Sequence, residues 1–288
     1  MAMEIEKARE LGLCFGVRRA IKMVQAAVTK YEQLDTLGPI VHNRVVVEKL
    51  AHMGATVVEN IDQVRSKVVA ITSHGCSPKM LSQIQARGLT IVDTTCPNVR
   101  NAQKACQKLS ENGFGVVIFG EVTHPEVKAL LEWAGEKALA TLSGHELTVN
   151  CLPDRAGILS QTTQSHLQFA DFIKRVVTAS FPYAKELRII NTLCEETQKR
   201  QQAALELAGK SDLVLVVGGR NSANTQRIAE LCSPEVETHL IETAGEIEED
   251  WLKGKEHVGI TAGASTPDES IDEVIEELNR YIKRGRGI

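Results

Sequence analysis

The feature that most constrains this chain is a threefold internal repeat built on Cys14, Cys96 and Cys194. Twenty-four residues after each cysteine stands a glycine (Gly38, Gly120, Gly218), and twenty-eight residues after it a polar residue (His42, His124, Ser222). Strand-like segments lead into Cys96 (Leu89–Thr95) and Cys194 (Leu187–Leu193), and a weaker one, Ala8–Leu13, into Cys14. Helical patterns follow at Val17–Lys30, Val99–Asn112 and Glu196–Gly209. The glycines close strands at Asp35–Ile40, Val116–Phe119 and Leu213–Val217, and second helices begin near Val45, Val127 and Gln226. Third strands are expected at Thr56–Glu59, Ala138–Leu142 and His239–Glu242. Fourth strands end in the polar loops Ser73-His74-Gly75, Gln161-Thr162-Thr163 and Ala264-Ser265-Thr266-Pro267.

Strands alternating with helices at this spacing predict parallel sheets of βαβ units. The predicted organisation is three related α/β domains, residues 1–95, 96–193 and 194–288, about a pseudo-threefold axis. Binding residues of parallel sheets collect in the loops at the carboxyl ends of strands. Three such units would aim three cysteines and six polar loop residues at one cavity.

Composition limits what those cysteines can do. The segment Met1–Glu10 is charged and lacks the apolar stretch of a secretory leader. No run reaches the roughly 18 apolar residues of a membrane span. A cytoplasmic location is therefore expected, and seven cysteines, an odd number, do not read as a disulfide framework. A net charge of −4 gives no reason to expect nucleic acid, and Lys283-Arg284-Gly285-Arg286 reads as a solvated tail. With 43% hydrophobic but only 4% aromatic residues, the core is expected to be aliphatic.

Zinc prefers four ligands, and its cysteines usually come in close pairs; this chain contains no Cys-x-x-Cys. Three lone thiolates suit a 4Fe–4S cluster with one iron left open for chemistry. A cysteine at a helix start also has a lowered pKa, as a ligand requires. Cys106, Cys151 and Cys232 read as small core residues, and Cys76 as a bystander beside His74.

His42, His74 and His124 sit beside turn formers, and Asn221-Ser222-Ala223-Asn224 and Gly263-Ala264-Ser265 lead into helices. Imidazoles, hydroxyls, amides and helix N-termini together make an anion site. They fit a diphosphate, without the Gly-Lys-Ser/Thr loop of nucleotide-binding proteins. In Thr123-His124-Pro125-Glu126-Val127, Pro125 marks a helix's first turn and brings Glu126 to the same cavity as a candidate general acid. A solvated first-turn glutamate is the plainer alternative. His52, His145, His166, His239 and His257 lack such contexts.

The ordered set of motifs resembles the 4-hydroxy-3-methylbut-2-enyl diphosphate reductase family, which closes the methylerythritol phosphate route to isoprenoids. The resemblance runs nearly end to end. It rests on Cys14-Phe15-Gly16-Val17-Arg18-Arg19-Ala20, Gly38-Pro39-Ile40-Val41-His42-Asn43, Ser73-His74-Gly75, Thr95-Cys96-Pro97 and Thr123-His124-Pro125-Glu126-Val127. Gln161-Thr162-Thr163, Cys194-Glu195-Glu196-Thr197-Gln198-Lys199-Arg200-Gln201, Asn221-Ser222-Ala223-Asn224 and Thr261-Ala262-Gly263-Ala264-Ser265 extend it.

The resemblance implies a trefoil of three α/β domains around a 4Fe–4S cluster held by Cys14, Cys96 and Cys194, with the substrate hydroxymethyl oxygen at the open iron. It implies that His42, His74, His124, Ser222, Asn224 and Ser265 cradle the diphosphate. Glu126, relayed through Thr162, would protonate the departing oxygen, with His124 beside it. Ferredoxin or flavodoxin would deliver two electrons singly, giving isopentenyl and dimethylallyl diphosphates. Three positions depart from the family pattern. Leu13 stands where Phe is frequent, Cys76 where an aliphatic is usual, and Ala223 where many members carry a second serine of the phosphate loop.

Three other readings stay open on the sequence. A hydro-lyase would turn over without an electron donor. A cluster-based sensor would bind the ester unconsumed, and a structural zinc protein would hold no iron.

Overall fold

The computed structural model describes residues 3–144, 147, 152–181 and 183–285. The chain opens with strand β1 (Glu4–Lys7) and helix α1 (Phe15–Tyr31). Next come β2 (Leu34–Leu37), α2 (Arg44–Met53), β3 (Ala55–Val58), β4 (Val68–Ile71), α3 (Pro78–Ala86) and β5 (Thr90–Asp93). The pattern recurs in α4 (Pro97–Glu111), β6 (Gly115–Phe119), α5 (Pro125–Ala134), β7 (Ala138–Thr141), β8 (Arg155–Ser160), α6 (His166–Ser180) and β9 (Glu186–Ile189). A third pass runs α7 (Glu195–Ala208), β10 (Leu213–Val217), α8 (Ala223–Cys232), β11 (Thr238–Ile241), the single turn α9 (Glu249–Leu252), β12 (His257–Ala262) and α10 (Asp268–Gly285).

The strands form three parallel four-stranded sheets, β3-β2-β4-β5, β7-β6-β8-β9 and β11-β10-β12-β1. Counted from the strand that leads to the repeat glycine, every sheet has the order second, first, third, fourth. In the last sheet the fourth place is taken by β1, with Glu4 opposite His257 and Lys7 opposite Ile260. Chain start and chain end therefore close one sheet, and in all three sheets the fourth strand is the one that leads to a cysteine.

The expected strand at Ala8–Leu13 is not formed; it lies earlier, at Glu4–Lys7. Pairing with β12 ends where the Ala8 N–H donates to the Ile260 carbonyl at 2.8 Å. Beyond it Gly12, at φ +78°, turns the chain toward Cys14. The repeat glycines answer to local crowding. A Cβ on Gly218 (φ +151°) would lie 2.7 Å from Thr266 Oγ1, and one on Gly120 would lie 2.8 Å from Val127 Cγ2.

Packing divides the chain into two bodies. The smaller comprises Met1–Arg18, Val41–Lys49 and Glu195–Ile288, and the larger Arg19–Ile40 and Leu50–Cys194. In the smaller, β10 is buried at every position, as a strand covered on both faces must be. Leu213, Leu215 and Val217 pack with Ile271, Val274 and Leu278 of α10, while Val214 and Val216 face Ala204, Ala208 and Ile228 of α7 and α8. This is the period-2 alternation of a strand between two helical layers.

The larger body repeats the scheme. Val116 and Ile118 meet Ala102, Leu109, Val127 and Leu130 of α4 and α5, and Val117 and Phe119 meet Phe169, Phe172 and Val176 of α6. Phe114, Phe119, Phe169 and Phe172 make this one sheet's core partly aromatic, a local exception to the aliphatic expectation. Each fully buried large side chain is worth roughly 1.5–3 kcal/mol of transfer free energy. Such packing gives the loops at the strand ends a rigid base.

Candidate active site

All three repeat cysteines stand immediately before a helix, Cys14 before α1, Cys96 as the N-cap of α4 and Cys194 before α7. Their backbones share one anchor. The Cys14 N–H donates to Ala264 O (2.9 Å), that of Cys96 to Ser73 O (3.0 Å), and that of Cys194 to Thr162 O (2.9 Å). Each acceptor lies in the loop after the third strand of a sheet, and each cysteine follows the fourth. The repeat thus brings every cysteine beside one of the polar loops picked out by sequence.

In the larger body, His124 caps α5 with its ring, Nδ1 accepting the Glu126 N–H at 3.1 Å. A ring nitrogen that accepts carries no proton, which leaves Nε2 as the ring's donor position. His74 meets His124 edge to face, ring centroids 5.4 Å apart. The His74 loop is held by the Ser73 hydroxyl, which donates to Ile40 O at 2.8 Å.

Glu126 is 1% exposed, so the solvated-glutamate alternative does not describe it. Thr162 donates to both carboxyl oxygens, its N–H to Oε1 at 2.7 Å and its hydroxyl to Oε2 at 2.9 Å. Burial pushes the carboxyl up to about 7, against the two bonds from Thr162, which favour the charged form. The side chain therefore exchanges its proton near neutral pH.

In the smaller body, Ser222 caps α8, its hydroxyl accepting the Thr225 N–H at 3.4 Å. Ala223 opens the helix and Asn224 follows. Asn224 is 4% exposed, yet neither its amide nitrogen nor its amide oxygen has a hydrogen-bond partner among the described residues. An unsatisfied buried amide costs about 1–3 kcal/mol, which a ligand's oxygens would relieve. Ser265 Oγ donates to His42 O at 3.3 Å, and that carbonyl lies where a Cβ on Gly219 would approach to 2.4 Å. Only glycine admits the His42 backbone so close.

The described cysteines differ in environment. Cys106 and Cys232 are core, as expected, and burial pushes their thiols up to about 12 and about 11. Cys76 is likewise pushed up to about 12 by burial. Cys14, Cys96 and Cys194 are half-buried at helix starts. Cys14 Sγ accepts the Val17 N–H at 3.4 Å, and Cys194 Sγ accepts from Asn98 Nδ2 at 3.1 Å. Donors aimed at the sulfurs of Cys14 and Cys194, and the half-buried helix-start positions of all three repeat cysteines, fit a sulfur-ligated metal group, which the Cys76, Cys106 and Cys232 thiols, pushed up by burial, do not. Cys151 and His145 lie outside the described residues. His52 and His166 are exposed, and His239 and His257 pair with Glu237 and Glu6.

Sequence reasoning missed Asn98. Its only signal was a polar side chain in the first turn after a ligand cysteine. Also missed was a cationic pocket of about 290 Å³ flanking Cys96, lined by Arg19, Asp93, Thr95, Pro97, Arg100, Asn101 and Lys104.

These features define a class, the parallel α/β proteins that carry half-buried cysteines, a buried carboxyl and polar capping residues in the loops after their strands. The family described as LytB protein matches residues 5–279. A protein of Dehalococcoides mccartyi (strain CBDB1) named 4-hydroxy-3-methylbut-2-enyl diphosphate reductase is 48% identical over 281 residues, covering 96% of this chain and 98% of that one. A solved structure of (E)-4-hydroxy-3-methyl-but-2-enyl diphosphate reductase, the terminal enzyme of the non-mevalonate pathway, aligns at 34% identity with a TM-score of 0.69, covering 97% of this chain and 100% of that one. A solved structure of E-1-hydroxy-2-methyl-but-2-enyl-4-diphosphate reductase from Plasmodium falciparum, at 23% identity, shares the fold, with a TM-score of 0.89 over 97% of this chain and 89% of that one. The chain belongs to the LytB family.

Proposed function

We propose that the chain reduces (E)-4-hydroxy-3-methylbut-2-enyl diphosphate to isopentenyl and dimethylallyl diphosphates. In this reaction the allylic C–O bond breaks and the oxygen leaves as water. Two electrons and two protons are consumed, one proton going to the departing hydroxyl and one to carbon.

The observation that carries the acid assignment is the buried Glu126 carboxyl, poised near neutrality and held at both oxygens by Thr162. A general acid works best with a pKa near the operating pH. We assign Glu126 to the departing hydroxyl, with Thr162 fixing its orientation and His124, tied to the Glu126 N–H, beside it. His42, His74, His124, Ser222, Asn224 and Ser265 are proposed to hold the diphosphate. The unpartnered Asn224 amide supports that role most directly. Ala223 offers no hydroxyl, so the grip there relies on backbone and neighbours.

Cys14, Cys96 and Cys194 are proposed as the ligands of a 4Fe–4S cluster, in three α/β units of residues 1–95, 96–193 and 194–288, the first lending β1 to the third sheet. Such a cluster supplies electrons one at a time and an open coordination position. Ferredoxin or flavodoxin is the proposed donor; the cations Arg19, Arg100 and Lys104 beside Cys96 suit an acidic carrier. We place the reaction in the cytoplasm with these carriers. Among the described residues, no helix is long and apolar enough to cross a membrane.

The test is anaerobic purification with iron and sulfide analysis, then addition of the allylic diphosphate with reduced methyl viologen. Dye oxidation coupled to both five-carbon diphosphates is expected. A brown protein that binds the ester without consuming electrons would contradict the reductase, and zinc in place of iron would overturn the ligand set.

A further inference from the structure

Among the sulfur contacts, the one at Cys194 is made by a side chain from elsewhere in the chain. Asn98 sits in the first turn of α4, two residues after Cys96, and reaches the sulfur of a cysteine ninety-six positions later. The bond is 3.1 Å from Nδ2 to Sγ, and Asn98 is half-buried, so water competes weakly for the donor. The same cysteine is pinned through its N–H to Thr162 O, and Thr162 holds the Glu126 carboxyl. One run of hydrogen bonds therefore joins Asn98, Cys194, Thr162 and Glu126.

A hydrogen bond to a ligand sulfur draws electron density from it and favours the more negative, reduced state of an iron–sulfur group. We propose that Asn98 is a positioning residue that raises the reduction potential of the metal group by donating to Cys194 Sγ. The inference rests on Cys194 being a ligand, as proposed above. Placing the donor on the helix capped by Cys96 makes the electronics of one ligand depend on the seating of another. It also puts a sulfur that accepts a side-chain hydrogen bond next to the acid loop, where the arriving electron and the transferred proton are needed together.

The experiment is a mediated redox titration of the anaerobic holoprotein, read by electron paramagnetic resonance of the reduced cluster. Asn98→Leu keeps the size of the side chain and removes the donor. The expected result is unchanged iron and sulfide content with a lower midpoint potential, equivalent to about a three- to tenfold smaller ratio of reduced to oxidised cluster at fixed poise (roughly 30–60 mV for one electron). Asn98→Gln, which retains a donor, should recover much of the shift. Gln107→Leu, an exposed change further along the same helix and outside the pocket beside Cys96, should leave the potential where it was.

A full cluster with the wild-type potential in Asn98→Leu would overturn the proposal. If that variant assembles no cluster, Asn98→Ser decides: a lowered potential supports the role and a wild-type one refutes it. Cys194→Ser separates the two levels of inference. Should it retain an intact cluster at the wild-type potential, the ligand assignment itself fails, whatever Asn98 does.

Discussion

The starts of α5 and α8 occupy the same place in the repeat and are built for different tasks. Both follow a strand and a glycine, and both open with a capping side chain, His124 in one and Ser222 in the other. Two residues on, α5 has Glu126 and α8 has Asn224, each nearly inaccessible to water. Glu126 is satisfied from within by two bonds from Thr162, whereas the Asn224 amide has no partner among the described residues. A saturated carboxyl whose ionisation is resisted by burial is suited to keep a proton. An unsaturated amide is suited to take up a ligand's oxygens. The repeat thus supplies one scaffold, and under the proposed function single residues at equivalent positions would divide proton transfer from binding.

The largest break in this comparison should come from Glu126→Gln. Losing a general acid removes about 10²–10⁴-fold in rate, so turnover should collapse while cluster content and substrate binding, measured by calorimetry, stay close to wild type. Equal losses of binding and turnover would make Glu126 a binder like Asn224.

A second break concerns stability. The Glu126 carboxyl rises from its ordinary 4.5 to about 7 on burial. The folded protein therefore binds the proton more tightly than the unfolded chain does. Its contribution is fully present below about 4.5 and is lost as pH rises through about 7, a span worth roughly 3 kcal/mol. Denaturant unfolding of Glu126→Gln between these values should lack this decline.

Asn224→Leu sharpens the other side of the comparison. Removing an unsatisfied buried amide should stabilise the ligand-free protein by about 1–2 kcal/mol and weaken substrate binding by about 10–100-fold. A variant less stable without substrate would mean that the amide is satisfied after all. The smallest effect is expected from Ala223→Ser, which adds one hydroxyl at the first position of α8. A hydrogen bond of about 0.5–1.5 kcal/mol corresponds to a two- to tenfold lower KM with kcat unchanged, checked by steady-state kinetics.

Much of this arrangement was legible in the sequence because it is local. Glycine and polar loop residues recur at fixed distances from each cysteine, and apolar runs such as Leu213–Val217 match buried strands residue for residue. Pro125 does open its helix, as expected. What was not legible depends on contacts between distant residues. β1 was misplaced because its partner is β12, at the other end of the chain, and local hydrophobicity favoured Ala8–Leu13. The pair of hydrogen bonds from Thr162 to Glu126 spans thirty-six positions and the Asn98 bond ninety-six, so neither leaves a periodic trace. The unsatisfied state of Asn224 is likewise a property of its surroundings, since asparagine in the first turn of a helix is ordinarily solvated.

The central claim is that Glu126 carries the proton for the departing oxygen, and the pH dependence of kcat/KM tests it most directly. In the wild-type holoenzyme the rate should fall as pH rises through about 7, where Glu126 loses its proton. In Glu126→Gln the small residual rate should lack that limb. The same falling limb in the variant, or a rate close to wild type, would contradict the account.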